Sequence, residues 1–188
     1  QDKGWDVTIT DVTEKFTTTG IWGPNARENL KKVVTAPEEL DIENFPFAAI
    51  RQISIAGKTV TAFRISYVGE QGWELHMRYE DGLAVWDALR GIGVMAVGVE
   101  TYANSRRLEK SLRLQNADLH TQYNLIEAAL ARPKVKEADF RGKAKHVEYR
   151  ERDHQPAMLC TLVMTDNVDA NGVARYPVGN LPVMDPDT

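Results

Sequence analysis

The sequence has little of what announces several common functions. Its 188 residues include one cysteine, Cys160, so no disulfide can form within the chain and a reducing, cytosolic compartment is expected. The four histidines, His76, His120, His146 and His154, fall at no ligand spacing with one another or with Cys160, and no metal site is expected. No stretch approaches 18 consecutive apolar residues, which argues against a membrane-spanning helix, and no basic-then-apolar leader opens the chain. Neither sign of charge dominates: 23 basic and 27 acidic residues leave a formal net charge of −4, with no broad attraction to nucleic acid or anionic lipid. The Lys/Arg-rich stretch 134–152 is interleaved with Glu137, Asp139, Glu148 and Glu151 and reads as a solvated surface. A phosphate-cradling loop is missing too, because Gly69-Glu70-Gln71-Gly72 joins strand to strand and not strand to helix.

What is present suits a folded domain. Apolar residues make up 43% of the chain and aromatics 8%, enough to build a core without disulfides or structural metal. Cys160 sits in the apolar run Met158-Leu159-Cys160-Thr161-Leu162 and is expected to be a buried small hydrophobe. Residues 5–22 read as strand material, and Gly23-Pro24-Asn25 then opens a helix with Ala26, Leu30 and Val33/Val34 as its apolar stripe. A hairpin follows, Ile50 to Ile55 and Val60 to Val68 about a Gly57-Lys58 turn, with Phe63, Ile65 and Tyr67 on one face. A third strand runs Trp73 to Met77, its Trp73, Leu75 and Met77 alternating with Glu74, His76 and Arg78. Next come a helix from Glu80-Asp81-Gly82 with Leu83, Trp86 and Leu89 on one side, a short buried strand Val94 to Val99, and a helix over 100–114.

This order predicts an α+β fold, antiparallel sheet with packed helices, over residues 1–120. Residues 121–188 are expected to be a linker, with a short helical stretch around Leu125 to Leu130, followed by the start of a β-rich C-terminal domain. Its expected strands are Met158 to Met164 and Val173 to Val178, about a turn at Asp169-Ala170-Asn171-Gly172. The character of the chain changes at Pro133. Its opening at Gln1 and its close at Asp185-Pro186-Asp187-Thr188 suggest an excerpt of something longer.

Two stretches hold the candidate chemistry. In Arg64 to Leu75, two glycines bracket a tight turn that lets the backbone approach a bound group, and Glu74 lies on the strand face opposite Trp73 and Leu75. Glu74 reads either as an exposed acid on a hairpin or as a pocket carboxylate beside Tyr67, accepting two parallel N–H bonds from a flat heterocycle. In 99–113, helical spacing puts Tyr102, Arg106, Glu109 and Arg113 on one polar stripe, with Tyr102 at the helix start.

Here the sequence resembles the folate-binding aminomethyltransferase superfamily, named for the T-protein of the glycine cleavage system. The resemblance is carried by Tyr-x-Gly-Glu-x-Gly-x-Glu at Tyr67, Gly69, Glu70, Gly72 and Glu74, and by Ser-x-Arg-Leu-Glu at Ser105, Arg107, Leu108 and Glu109. Gly23-Pro24-Asn25 upstream and Asp139-Phe140-Arg141-Gly142-Lys143 downstream fit in order. The resemblance implies a T-protein-like folate-binding fold and a tetrahydrofolate site, with Glu74 bonding the pterin ring and Tyr67 and Glu70 lining the pocket.

Departures point to a branch. T-proteins commonly carry Arg-Asp before the serine motif, where this chain has Ala103-Asn104, and the segment 131–136 lacks their apolar, Gly-rich character. The run Tyr102 to Lys110 looks most like the tetrahydrofolate-dependent aryl O-demethylases that act on vanillate and 3-O-methylgallate. That likeness implies a methoxy-aromatic substrate from lignin-derived aromatic catabolism, tetrahydrofolate as methyl acceptor, and Tyr102 as the catalytic residue. A tyrosine, with a pKa of about 10 when unperturbed, matches a phenolate leaving group as general acid. The alternative is aminomethyl transfer of the glycine-cleavage type, or the folate domain of a methylated-amine dehydrogenase.

Overall fold

The computed structural model describes residues 4, 6–131, 134–177, 179 and 181–184. Pro133, Val178 and the closing residues 185–188, singled out above, lie outside the described residues. The chain divides into two compact units, Gln1–Thr121 and Gln122–Thr188.

In the first unit, strands β1 (Phe16–Trp22), β2 (Ile50–Ile55), β3 (Lys58–Phe63) and β4 (Gly72–Arg78) form one antiparallel sheet in the order β1-β4-β3-β2. With helices packed against it, the unit is α+β. Side chains alternate across a strand, so the sheet has two unlike faces. One carries Ile21, Ile53, Ile55, Val60, Ala62, Trp73, Leu75 and Met77, all buried. Against it pack Ala26 and Leu30 of α1 (Ala26–Lys31), Leu40 and Phe45 of the following loop, and Val85 and Leu89 of α2 (Gly82–Gly91). Each large apolar side chain buried this way stabilises the fold by about 1.5–3 kcal/mol before the entropy of ordering it is counted. On the other face Thr18, Gly20 and Trp22 of β1 lie against His76, Glu74 and Gly72 of β4, and Thr61 and Phe63 of β3 face His76 and Glu74.

The hairpin turns at Ala56-Gly57, one residue earlier than expected. Both residues have positive φ, 52° and 73°, as a tight turn matched to the twist of its strands requires, and this frees Lys58 to begin β3. Beneath the sheet, Arg27 is buried with its guanidinium 5.2 Å from the Trp73 ring centre, and Nη1 and Nη2 have no hydrogen-bond partner among the described residues. Burial, then the nearby Arg64, holds its pKa below the ordinary arginine value.

Several expected elements take other forms. Residues 6–12 are not strand; β1 begins at Phe16, after a 3-10 turn at Thr13–Lys15. β3 stops at Phe63 because its pairing with β4 ends there; Arg64 instead exchanges backbone hydrogen bonds with Ala48 and Ala49. On α2 the buried positions are Val85 and Leu89, while Leu83 and Trp86 are exposed. Residues 94–99 pair with no strand among the described residues, and Met95, Val97 and Val99 are exposed. The last helix opens as a wide π-helical segment, Glu100–Arg106, continues as α3 (Arg107–Glu109), and stops where Ser111 turns left-handed at φ 55°.

The second unit contains α4 (Lys143–Arg150). The stretch around Leu125 to Leu130 is a turn, not a helix: the Asn124 side-chain oxygen accepts from the backbone N–H of Ile126 and Glu127, and Ala129 ends it at φ 56°. The expected turn at Asp169 to Gly172 forms, with the Asp169 carboxylate accepting from the Asn171 and Val173 backbone N–H. Its arms, however, form among the described residues an isolated bridge, Val168–Ala174, and no strand. Met158 to Met164 form no strand and Cys160 is exposed: among the described residues the Leu159 N–H donates to the Glu127 carbonyl at 2.7 Å, but no strand pairs with the run.

Among the described residues no helix is long and apolar enough to cross a membrane, and no three His, Cys, Asp or Glu residues are grouped to hold a metal ion.

Candidate functional site

A cleft of about 800 Å³ belongs to the first unit. Its walls are β1 from Thr18 to Trp22, the Glu74 and His76 side of β4, Trp86 on α2, the 94–99 segment, and Tyr102 and Arg106 on the π-helical segment. The apolar run 94–99, expected as a buried strand, is thus a wall of the cleft.

An aromatic surface sits at one end. The Trp22 and Tyr102 rings stack with centres 5.1 Å apart and planes inclined by 27°; Tyr67 leans on Tyr102 at 5.4 Å. Gly20 makes this possible. A Cβ there would fall 1.9 Å from the Trp22 ring, so only glycine lets the indole fold back over β1. The indole N–H donates to the Ile65 carbonyl at 3.0 Å, and the Tyr67 hydroxyl donates to the Arg113 carbonyl at 2.8 Å. Both rings are therefore fixed at their polar ends, with Tyr102 held between them.

The carboxylate of Glu74 stands on the cleft wall, across the ladder from Gly20, with its side chain 24% exposed. One oxygen lies 3.3 Å from His76 Nε2. Its other oxygen makes no hydrogen bond among the described residues. The Tyr102 hydroxyl is held above the ordinary phenol pKa, first by burial and then by the negative charge of Glu74, with Tyr67 adding to it. Tyr102 therefore keeps its proton throughout the neutral range. At the rim, Arg106 pairs with Glu109 at 3.0 Å and reaches Glu70 at 3.7 Å. Glu70 sits in a turn held tight by Gly69, whose φ of 74° suits glycine and whose Hα side packs on Lys110.

Of the residues singled out from sequence, Glu74, Glu70 and Tyr102 line this cleft, and Tyr67 supports it from behind Tyr102 without lining it. Arg107 is not part of it. Its buried guanidinium bonds the carbonyls of Ala103 and Leu112 and the Asp118 carboxylate, fixing the helix to the chain that follows. Sequence reasoning passed over Trp22, Thr18 and His76 as site residues. The signal for His76 was its place two residues after Glu74 on one strand, where period two puts both on one face.

The cleft suits a pterin: a flat aromatic surface beside a fixed carboxylate with a spare oxygen is what a planar ring with adjacent N–H donors needs.

Comparison with known proteins gives the family. The GCVT N-terminal domain matches residues 1–135. Human dimethylglycine dehydrogenase, a mitochondrial protein, is 35% identical over 175 residues, covering 90% of this chain and 20% of that protein. Mouse sarcosine dehydrogenase, also mitochondrial, is 34% identical over 135 residues, covering 70% of this chain and 14% of its own. An aminomethyltransferase of Listeria welshimeri is 31% identical over 149 residues, or 78% of this chain and 40% of its own. The chain thus spans about a fifth of the length of dimethylglycine dehydrogenase and two fifths of the aminomethyltransferase. With a family match over most of its residues, this chain belongs to the GCVT N-terminal domain family.

Proposed function

We propose that the cleft binds the pterin ring of tetrahydrofolate and that the protein carrying it transfers one-carbon units derived from an N-methylated or aminomethyl-bearing substrate. The observation that carries this reading is Glu74, a carboxylate with an uncommitted oxygen, beside the Trp22–Tyr102 stack. The relatives are named for dimethylglycine, sarcosine and aminomethyl groups, which favours one-carbon units carried on amine nitrogen. They lend no support to the aryl O-demethylase branch that the run Tyr102 to Lys110 suggests.

Bound tetrahydrofolate supplies the nitrogen that accepts the one-carbon unit. The chain's own residues do the rest. Glu74 accepts paired N–H bonds and fixes the ring's orientation. Trp22 and Tyr102 cover a flat face and exclude water from it. Tyr102, protonated at neutral pH, offers a hydrogen bond to a basic atom of ligand or substrate.

One observation favours a second reading. Tyr102 lines the cleft with a hydroxyl that is protonated at neutral pH and can donate to a phenolate leaving group, as aryl O-demethylation requires. A single experiment separates the two: the full-length protein is incubated with tetrahydrofolate and either dimethylglycine or sarcosine with an added two-electron acceptor, or vanillate. Folate one-carbon products are expected from the amines, and products from vanillate alone would reverse the order of the readings. Glu74→Gln should weaken tetrahydrofolate binding by about 10- to 100-fold. Unchanged affinity would remove the folate site altogether.

A further inference from the structure

Two residues beside Glu74 have no part in the reading above. His76 Nε2 lies 3.3 Å from Glu74 Oε2, while Nδ1 lies 2.9 Å from the Thr18 hydroxyl on the neighbouring strand. The imidazole is packed against the Phe63 ring with centres 4.4 Å apart. Cross-strand pairing sets these contacts, since His76 stands opposite Thr18 on one side and Thr61 on the other. Thr18, His76 and Glu74 form a continuous polar chain ending at the carboxylate in the cleft. His76 is also shared between two cavities. It lines the main cleft and a smaller hollow of about 390 Å³ on the far side, with Thr59, Thr61 and Arg78.

We propose that His76, oriented by Thr18, is a positioning residue for Glu74 that makes ligand binding in the cleft depend on pH; this rests on the folate reading of the same site. An uncharged imidazole can accept a hydrogen bond from the threonine hydroxyl at Nδ1 and donate one from Nε2, holding the carboxylate aimed while leaving it its charge. An imidazolium donates a charge-assisted bond to the same oxygen, neutralises Glu74 and competes with the ligand's N–H groups. Ligand and proton then oppose each other at one carboxylate.

The charged groups around His76 are otherwise committed. On its own strand Arg78 meets Glu80 at 3.5 Å, and at the start of β3 Lys58 pairs with Asp81 at 2.8 Å. Across the cleft Arg106 pairs with Glu70 and Glu109, Arg90 donates to the Val94 carbonyl, and Tyr102 holds its proton. No charged residue of β1 faces the ring; its neighbours there are Phe16, Thr18 and Gly20. Glu74 is the acid in contact with it.

The test measures the affinity of the full-length protein for 5-formyltetrahydrofolate by calorimetry from pH 5.5 to 8, the range in which imidazoles change charge. Wild type should weaken about fivefold or more toward pH 5.5, whereas His76→Gln, which keeps a donor but cannot titrate, should vary less than about twofold. The same pH dependence in His76→Gln would overturn the proposal. A second measurement needs no variant. Linkage is reciprocal, so saturating ligand should lower the midpoint at which the His76 ring nitrogens titrate by NMR in wild type. A midpoint that rises or stays fixed would also overturn it. If the folate reading itself is wrong, the signature differs, because wild type then binds no folate at any pH.

Discussion

Replacing Gly72 by alanine should loosen the cleft from its foundation. Gly72 opens β4 and pairs with Trp22, two residues before Glu74. An added Cβ would fall 2.0 Å from the Ile21 carbonyl oxygen and 2.8 Å from the Trp22 Cα. Contacts shorter than 3.0 Å are not sustained, so the end of β1 must retreat by about 1 Å. A ladder hydrogen bond of about 2.9 Å stretched to about 3.9 Å is lost. Two such bonds, that of the Gly23 N–H to the Gln71 carbonyl and one within the Ile21–Trp73 pair, represent about 2 kcal/mol. Disturbed packing of the buried Ile21 and Trp73 adds about 1 kcal/mol, giving about 3 kcal/mol in all. The same shift carries the Trp22 ring away from Tyr102, so folate affinity should fall with stability. Urea unfolding followed by tryptophan fluorescence, with ligand titration below the transition, measures both. A stability loss under about 0.5 kcal/mol with unchanged affinity would refute the proposed coupling between this strand end and the cleft.

Two further outcomes concern the chain that supports the site. Burial and the charge of Glu74 raise the pKa of Tyr102, so the folded state holds this proton more tightly than the unfolded one. Its contribution to stability is complete below about pH 10 and is lost as pH rises through the folded-state value. In an alkaline titration of phenolate absorbance, Tyr102→Phe should remove the late-ionising step and Glu74→Gln should move it to lower pH; a step unmoved by Glu74→Gln would show that the carboxylate does not face the phenol. Arg107→Ala should cost about 3 kcal/mol, since it strands the Asp118 carboxylate and two carbonyls beside a buried position. Arg107→Lys should rescue little of that loss, because one ammonium cannot replace the fork; full rescue in urea unfolding would reduce Arg107 to a charge.

The sheet was legible in the chain because its period shows where one face is buried. Trp73, Leu75 and Met77 alternate with polar residues and are the buried side of β4, and the Ile50–Ile55 hairpin forms with its turn one residue early and its second strand ending at Phe63, short of the expected Val68. Where burial is partial the pattern misled. Leu83 and Trp86 look like core on a helical wheel, yet Val85 and Leu89 face the sheet. Val94 to Val99 and Met158 to Met164 are apolar enough for strands, but a strand also needs a neighbouring strand to complete a ladder of backbone hydrogen bonds, and neither run has such a ladder among the described residues. The family motif drew attention to Glu74 and Glu70, which line the cleft, and to Tyr67, which stands behind it; Tyr102, which also lines it, was singled out by its helix stripe and by the likeness of the run Tyr102 to Lys110 to the aryl O-demethylases.

The single cysteine, the balanced charge and the absence of ligand-spaced histidines were fixed by composition and spacing, and so was the alternation that puts Glu74 and His76 on one strand face. Local sequence sufficed for these because each depends on residues near in the chain. The aromatic stack of Trp22 on Tyr102, the phenol's retained proton and the Thr18–His76–Glu74 chain were decided by tertiary structure alone. They join residues distant in the chain, Trp22 with Tyr102, Thr18 with His76 and Glu74 with Tyr102, and only the register of β1 against β4 and the packing of the π-helical segment bring those side chains together.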